Sequence, residues 1–411
     1  MPTLQGKTPI NHRPLIVGVL LLLPLVASAQ VESWTADDAV TRALSRPEMT
    51  AIREAGQRQV RAEMGEATVR PTPTIGLAHE DGGRHDGAPS REVSAILEQP
   101  LDFVPWRGRL RESFRHRESA FLAADDDRRL EIASLVRSAF YGVLYHERRT
   151  AALGRWVGRL RDGQEALTAR EQRGDVSSYE LRRVERELDM ARAERAREES
   201  RLAETWVELR TFCPWQERPT LVGDLAPRTP QAAEDDAPLP HLVRLDELTR
   251  SLDAEIGAWG TPFLRNWVLG AGYRYAEADS EIERGVLLTV SVPLPLWNTN
   301  APRLDRLRAE RVRIESELVV ERQRARDAAE AAADRFERLL DALRALPPAE
   351  RDAELTGQAE LAYAAGEATL TELLDAYESE AEFELARTDL QWEARRASIE
   401  LDRRRGMGVL R

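Results

Sequence analysis

Glu372 and Asp375 are the side chains of this 411-residue sequence whose type and spacing could do chemistry together. Three residues apart on a predicted helix, their carboxylates occupy neighbouring positions of one helical face. Such a pair could attract cations and repel anions. The chain contains 71 Asp and Glu residues, so the simplest alternative is that both are solvated surface acids.

Other reactive groups indicate no catalytic site. We find no phosphate-binding loop and no plausible nucleophile constellation, and therefore expect neither enzymatic activity nor a cofactor. His79 and His85 flank a loop with Asp81 and Asp86 that could bind a metal, but a solvated loop is the simpler explanation and the one we favour. No zinc-ligand spacing occurs elsewhere, so we predict no metal site. The single Cys213 excludes an intramolecular disulfide and is predicted to be a buried, inert thiol.

The amino terminus is typical of a cleaved secretory signal peptide, residues 1–29. Lys7 and Arg13 supply the positive region, Leu15–Leu25 is mostly apolar, and Ala27–Ala29 fits a cleavage site that leaves Gln30 first. A retained membrane anchor is the weaker alternative, because the apolar run is short for a spanning helix. Cleavage changes the formal charge from −12 to −14 (−12 − 2), which argues against a nucleic-acid partner.

The mature chain is a tandem duplication. Gly174–Leu181 returns as Gly366–Leu373, an offset of 192 residues (366 − 174), and Ala62–Gly65 returns as Ala254–Gly257 at the same offset. This period is too long for a solenoid of small units, so each half is predicted to be a complete structural pass. Charged residues form 32% of the chain and aromatic residues 6%, which favours long helices.

The two passes share one order of predicted elements. The first repeat, residues 30–213, has strands at about 72–81 and 90–101 and long helices at about 107–172 and 175–212. A Pro-rich connector covers residues 214–240. The second repeat, residues 241–411, has strands at about 266–277 and 284–296 and helices at about 301–346, 349–365 and 367–404.

The predicted strands alternate in a way that suits either a membrane or a soluble hairpin. One face of the third strand presents Trp267, Leu269, Ala271, Tyr273 and Tyr275, and the other presents small residues and Arg274. Four strands cannot close a membrane barrel, and open edges are not tolerated in lipid. A membrane location would therefore require several chains, each giving four strands.

The order helix, two strands, two long helices, repeated, resembles the TolC-like outer-membrane factor family. The motifs that carry the resemblance are Val292–Asn300, Ala362–Glu367 and Leu373–Ala376, with Gly174–Leu181 as the first-half counterpart. The corner motif looks most like the heavy-metal efflux branch, although Thr299-Asn300 departs from the Arg-Asn pair common there. The implied fold is mainly α with a transmembrane β component: a homotrimer whose 12-stranded barrel continues as an α-helical periplasmic tunnel.

The resemblance also implies partners and roles. The partners would be outer-membrane lipid, a periplasmic adaptor (membrane fusion protein) and an inner-membrane pump of the resistance-nodulation-division type. Glu372 and Asp375 would form the acidic rings that constrict the tunnel entrance, and a hydrogen bond between Tyr363 and Glu180 would hold neighbouring tips together. The helix-tip turns, where an adaptor would dock, contain Gly174, Asp175, Ser177, Gly366, Glu367 and Thr369.

Aromatic side chains near the strands have two interpretations. Trp106 and Trp297 would mark the inner membrane girdle, or would simply pack at bent corners. Trp267, Tyr273 and Tyr275 are further candidates for the membrane interface. The main alternative for the whole chain is a soluble periplasmic coiled-coil adaptor or scaffold, which would be expected to have one helical hairpin between β-rich domains.

Overall fold

The computed structural model describes residues 32–83, 89–101, 106–227, 238–260, 267–278, 281–292, 294, 300–347 and 350–407. The signal peptide and Trp297 lie outside these residues. The first half contains β1 (Ser33–Trp34), α1 (Ala36–Leu44), α2 (Pro47–Thr68), β2 (Thr74–Gly83), β3 (Pro89–Leu101), α3 (Trp106–Glu171), α4 (Ser178–Phe212) and β4 (Thr220–Leu221). The second half contains α5 (Pro240–Trp259), β5 (Trp267–Ala278), β6 (Glu281–Ser291), α6 (Ala301–Ala345), α7 (Glu350–Ala365) and α8 (Leu370–Arg404).

The two hairpins join in one four-stranded antiparallel sheet in the order β2-β3-β5-β6. The central pairing, between β3 and β5, joins the two repeats, with Ala95 opposite Tyr273 and Leu97 opposite Ala271. Among the described residues, β2 and β6 each have a neighbour on one side only. The sheet therefore has two free edges, one contributed by each repeat.

The register places most of the large apolar side chains of the four strands on one face. Leu77 lies opposite Ala95, which lies opposite Tyr273, which lies opposite Val286. This face is open to solvent in the single chain, with Leu77 78% and Leu288 79% exposed. The other face carries mainly small and charged groups, including an ion pair between Arg274 and Glu92 at 2.7 Å, together with the apolar Ile96 and Leu287. The alternation predicted for the third strand is thus a property of the whole sheet.

The helices attached to the strands keep the same lateral order, α2-α3-α5-α6. Gly56 brings α2 so close to α3 that a Cβ there would meet the ring of Phe121 at 2.0 Å. The hydroxyl of Ser113 in α3 lies 3.0 Å from that of Ser251 in α5. Arg311 of α6 donates to Asp253 of α5 at 2.5 Å. The outer helices α2 and α6 consequently continue the outer strands β2 and β6.

Two of the apolar clusters lie along α3, away from the sheet. Near the middle of α3, the buried Trp34, Phe140, Trp206 and Cys213 belong to one core. The Cys213 thiol donates to the Ala39 carbonyl at 3.1 Å, and burial raises its pKa to about 11, which makes it the inert thiol expected. None of the described helices contains a stretch both long and apolar enough to cross a membrane.

The second apolar cluster lies at the far end of α3. There Leu167 of α3, Leu188 of α4 and Leu374 of α8 meet. This cluster holds the ends of the three helices together, next to the turns that follow α3 and α7.

Candidate functional site

The two helix-tip turns have the same backbone conformation. Gly174 and Gly366 adopt φ values of 80° and 78°, a left-handed conformation that side chains with a Cβ rarely take. The Gly174 N–H donates to the Glu171 carbonyl at 2.9 Å, and the Gly366 N–H donates to the Tyr363 carbonyl at 3.1 Å. Both helices thus end with a glycine in the left-handed conformation, so the duplicated sequence folds twice into one turn.

Each turn leads into a helix that begins with a capping box. In the first half the Glu180 N–H donates to the Ser177 hydroxyl at 3.3 Å, and the Ser177 N–H donates to the Glu180 carboxylate at 3.1 Å. In the second half the Glu372 N–H donates to the Thr369 hydroxyl at 3.3 Å, and the Thr369 N–H donates to the Glu372 carboxylate at 2.7 Å. Both acids therefore stabilise the first turn of a helix.

The capping contacts also affect the charge state of Glu372. Its carboxylate is exposed, and hydrogen bonds from the backbone and side chain of Thr369 lower its pKa. It thus stays ionised at neutral pH, although one oxygen is directed to the turn. Asp375, one turn further along α8, is exposed on the same helix.

The acidic surface extends beyond the two predicted residues. Glu378 and Glu382 continue along the exposed side of α8 at intervals of three and four residues from Asp375. Burial raises the pKa of the Glu378 carboxyl, and the charges of Glu382, Glu187 of α4 and Asp375 raise it further. We refer to Asp375, Glu378, Glu382 and Glu187 as the acidic stripe. The spacing of Asp375, Glu378 and Glu382 by three and four residues is the sequence signal that indicates this surface.

One basic residue interrupts this surface. Arg183 occupies the repeat position of Asp375, and its charge lowers the pKa of Glu378. The Arg183 guanidinium also donates to the Thr371 hydroxyl at 3.5 Å, which joins α4 to the start of α8. The first half therefore supplies a cation beside the stripe where the second half supplies an acid.

The predicted hydrogen bond between Tyr363 and Glu180 is not formed within the chain. The Tyr363 hydroxyl instead accepts from Arg170 Nη1 at 2.7 Å, and the guanidinium lies 5.8 Å from the centre of the Tyr363 ring. Glu180 is engaged by the backbone of Ser177, as described above. Arg170 of α3 therefore binds Tyr363 of α7 and links the first half of the chain to the second.

Sequence reasoning missed a second set of links, which lies above the turns. Arg159 of α3 donates two hydrogen bonds to Glu380 of α8, at 2.5 and 3.1 Å. Burial alone would raise the pKa of Glu380, but the hydrogen bonds from Arg159 and Thr356 outweigh it, and the pKa is lowered. The Tyr377 hydroxyl donates to Glu360 at 3.0 Å, and burial and this bond raise its pKa to about 12.

The predicted interface aromatics fall into two groups. Trp106 is buried against Trp259 at a ring-centroid distance of 6.3 Å, so in the single chain it packs at a corner. Trp267, Tyr273 and Tyr275 lie on the apolar face of the sheet. His79 contacts Asp81 at 3.2 Å, whereas His85 and Asp86 lie outside the described residues. Within the described part of the chain, no group of three or more potential ligands could hold a metal ion.

Solved structures resemble this arrangement over nearly its full length. No protein-family model and no curated protein matches the sequence. A membrane protein from Pseudomonas aeruginosa matches with a TM-score of 0.69 and 19% identity, over 90% of this chain and 93% of that one. The open-state MtrE outer membrane channel of Neisseria gonorrhoeae matches at 0.68 and 19% identity, over 91% and 89%.

CusC, whose structures concern folding and transmembrane channel formation, matches with a TM-score of 0.68 and 16% identity, over 91% of this chain and 92% of that one. The fold is that of outer-membrane channels. At this level of identity the likeness concerns the fold, and it extends through both repeats.

Proposed function

We propose that the protein is the outer-membrane exit duct of a tripartite efflux or secretion system. One observation carries the proposal: a single chain joins an open four-stranded sheet with an exposed apolar face to helices that match outer-membrane channels along their length. An exposed apolar face of this extent requires a partner or a lipid surface.

The sheet supports a trimeric barrel in the outer membrane. Its free edges must be paired in lipid, where backbone polar groups have no water to bind. Three copies in a ring would pair each β2 edge with a β6 edge and give twelve strands, with the apolar face toward lipid and the face of Arg274 and Glu92 toward a wet lumen.

The helix tips support an entrance for cargo at the other end. Threefold repetition would gather the acidic stripe, with Glu372 beside it, around the axis, where it would attract cations and repel anions. The links Arg170–Tyr363 and Arg159–Glu380 would hold the tips in their closed arrangement. The periplasmic adaptor would dock on the turns of Gly174 and Gly366, and a resistance-nodulation-division pump would supply the energy.

The duct itself is proposed to be passive and not enzymatic. Cargo choice would then belong to the pump, and membership of the heavy-metal branch stays a prediction, since the matched structures do not single it out. No observation favours the soluble adaptor or scaffold, because both repeats contribute a hairpin to one sheet and a pair of long helices.

Adjacent residues of β6 provide a matched test of the membrane assignment. Leu288 lies on the apolar face and Thr289 on the opposite face. An arginine facing lipid near the bilayer midplane costs about 2–4 kcal/mol, so Leu288→Arg should strongly reduce recovery in outer-membrane fractions, whereas Thr289→Arg should be tolerated.

The measurement is fractionation followed by native sizing of the detergent-extracted protein. The unmodified chain should be recovered as an outer-membrane trimer. Recovery as a buffer-soluble monomer, with the two variants behaving alike, would reject the duct in favour of the adaptor or scaffold.

A further inference from the structure

A groove beside α6 collects cationic side chains in a chain that is acidic overall. Its volume is about 400 Å³, and the end of α8 and the start of α5 both line it. Arg322 and Arg326 of α6 reach it from one side. Arg404 and Arg405 reach it from the end of α8. Among the described residues that line the groove, Glu330 is the only acid, so the groove carries a formal charge of +3 (4 − 1) in a chain of −12.

Arg322 and Arg326 have no structural role within the chain. The described residues supply neither of them with a hydrogen bond, an ion pair or a ring contact. They lie one turn apart on α6, and like charges at this spacing destabilise a helix. By contrast, Arg404 donates to Glu400 at 2.6 Å, and both Arg404 and Arg405 lie at the C-terminal end of α8, where cations favour the helix dipole. A bound anion would therefore supply the partner that Arg322 and Arg326 lack.

The rest of the groove is mainly apolar. Ala325, Ala329 and Ala333 of α6 form a wall of small side chains, and Leu239 and Leu242 at the start of α5 add larger ones. Small-molecule sites typically have volumes of roughly 300–1,000 Å³ and combine apolar walls with a few charged groups that fix the orientation of the ligand. A guanidinium can bind a carboxylate through two parallel hydrogen bonds. The groove thus offers both kinds of surface that an amphipathic anion requires.

We infer that this groove binds a small amphipathic organic anion, with its carboxylate on Arg322 and Arg326 and its apolar body against the alanines and leucines. The ligand would contact both α6 and the end of α8, the helix that carries the acidic stripe. One chain supplies every residue that lines the groove. The inference therefore does not depend on the proposed trimeric duct.

Equilibrium dialysis of 2-naphthoate against the full-length, detergent-extracted protein tests the site, with protein-free micelles as the blank. We expect saturable binding of one 2-naphthoate per chain. The uncharged 2-naphthylmethanol has nearly the same shape but cannot form an ion pair with a guanidinium, so it should bind about tenfold more weakly.

Two matched pairs of variants locate the site. Arg322→Gln combined with Arg326→Gln should weaken 2-naphthoate binding by about tenfold, whereas Arg338→Gln should not, because Arg338 is 79% exposed on α6 outside the groove. Ala329→Glu should abolish binding, because it places a carboxylate inside the groove. Ala331→Glu is its control, since Ala331 is exposed on α6 and does not line the groove.

Two results would overturn the inference. One is the absence of saturable 2-naphthoate binding to the parent, which would mean that the groove is not open to a small anion. The other is an equal affinity in the parent and all the variants, which would place any binding elsewhere on the chain. Either result leaves the proposed duct intact, because no part of this experiment measures the trimer or its channel.

Discussion

The turn between α3 and α4 and the turn between α7 and α8 share their backbone and their caps but not their surroundings. Ser177 and Thr369 cap the following helices through the same reciprocal pattern with Glu180 and Glu372. Beyond the caps the copies diverge, because Arg183 of the first half takes the position of Asp375 in the second. The two copies of the turn therefore share one backbone structure but differ in charge, with an arginine at the position where the other copy has an aspartate.

The helices that carry the turns differ as well. In the first half α3 is continuous over 66 residues, whereas the second half is divided into α6 and α7 on either side of Pro347. Proline cannot donate the backbone hydrogen bond that a continuous helix needs. The second-half tip consequently depends on side-chain links to α3, and we expect it to move more readily than the first-half tip.

Exchanging the charges between the copies should have the largest effect. Asp375→Arg gives the second half the cation of the first, and three copies would turn three negative charges near the axis into three positive ones. We expect the cation preference of the channel to fall steeply or reverse, measured as the reversal potential across a bilayer with a salt gradient.

Arg183→Asp is the matched opposite change and should strengthen cation preference. Equal reversal potentials for the parent and both variants would show that the two positions do not face the ion path.

Removing the link between the halves should have the next largest effect. Tyr363→Phe removes the acceptor of Arg170, and a hydrogen bond to a charged group contributes roughly 1.5–3 kcal/mol. We expect a looser second-half tip and a higher single-channel conductance at neutral pH. Tyr179→Phe is the control, because Tyr179 lies exposed at the first-half turn. Unchanged conductance in Tyr363→Phe would contradict a gating role for this link.

Alkaline pH should loosen the second-half tip through Tyr377. Burial and the bond to Glu360 raise its pKa from 10.0 to about 12. A raised pKa means that the stability is complete below pH 10 and is lost as the pH rises toward 12. The protection factors of the amides in α7 and α8, which are corrected for the intrinsic rise of exchange with pH, should therefore fall across this window. Tyr377→Phe should reduce this fall. An identical pH profile in that variant would exclude Tyr377 as the cause.

Local signals in the sequence anticipated the turns and the sheet faces but not their partners. Glycine at 174 and 366 predicts a left-handed residue after a helix, and alternation from Trp267 to Tyr275 predicts the apolar face. The Ser-x-x-Glu and Thr-x-x-Glu patterns also indicate capping boxes, which account for the backbone contacts of Glu180 and Glu372.

The links between elements depend on packing that no local pattern encodes. Arg170 and Tyr363 are 193 residues apart, and they meet because α3 and α7 lie side by side at the tip. The pairing of β3 with β5 likewise joins the two repeats. In the single chain Trp106 packs at a corner because Trp259, from the other repeat, lies beside it.

Removing one cap at a time should have the smallest effect and sharpen the comparison most directly. Ser177→Ala and Thr369→Ala each delete one side-chain acceptor, and both should cost about 1 kcal/mol of helix-end stability. Native-state hydrogen exchange at the starts of α4 and α8 should show similar losses of protection. Only Thr369→Ala should also change conductance, because its helix carries Asp375 and its tip is the less firmly held. Equal conductance changes in the two variants would mean that the two tips open together, even though they differ in charge.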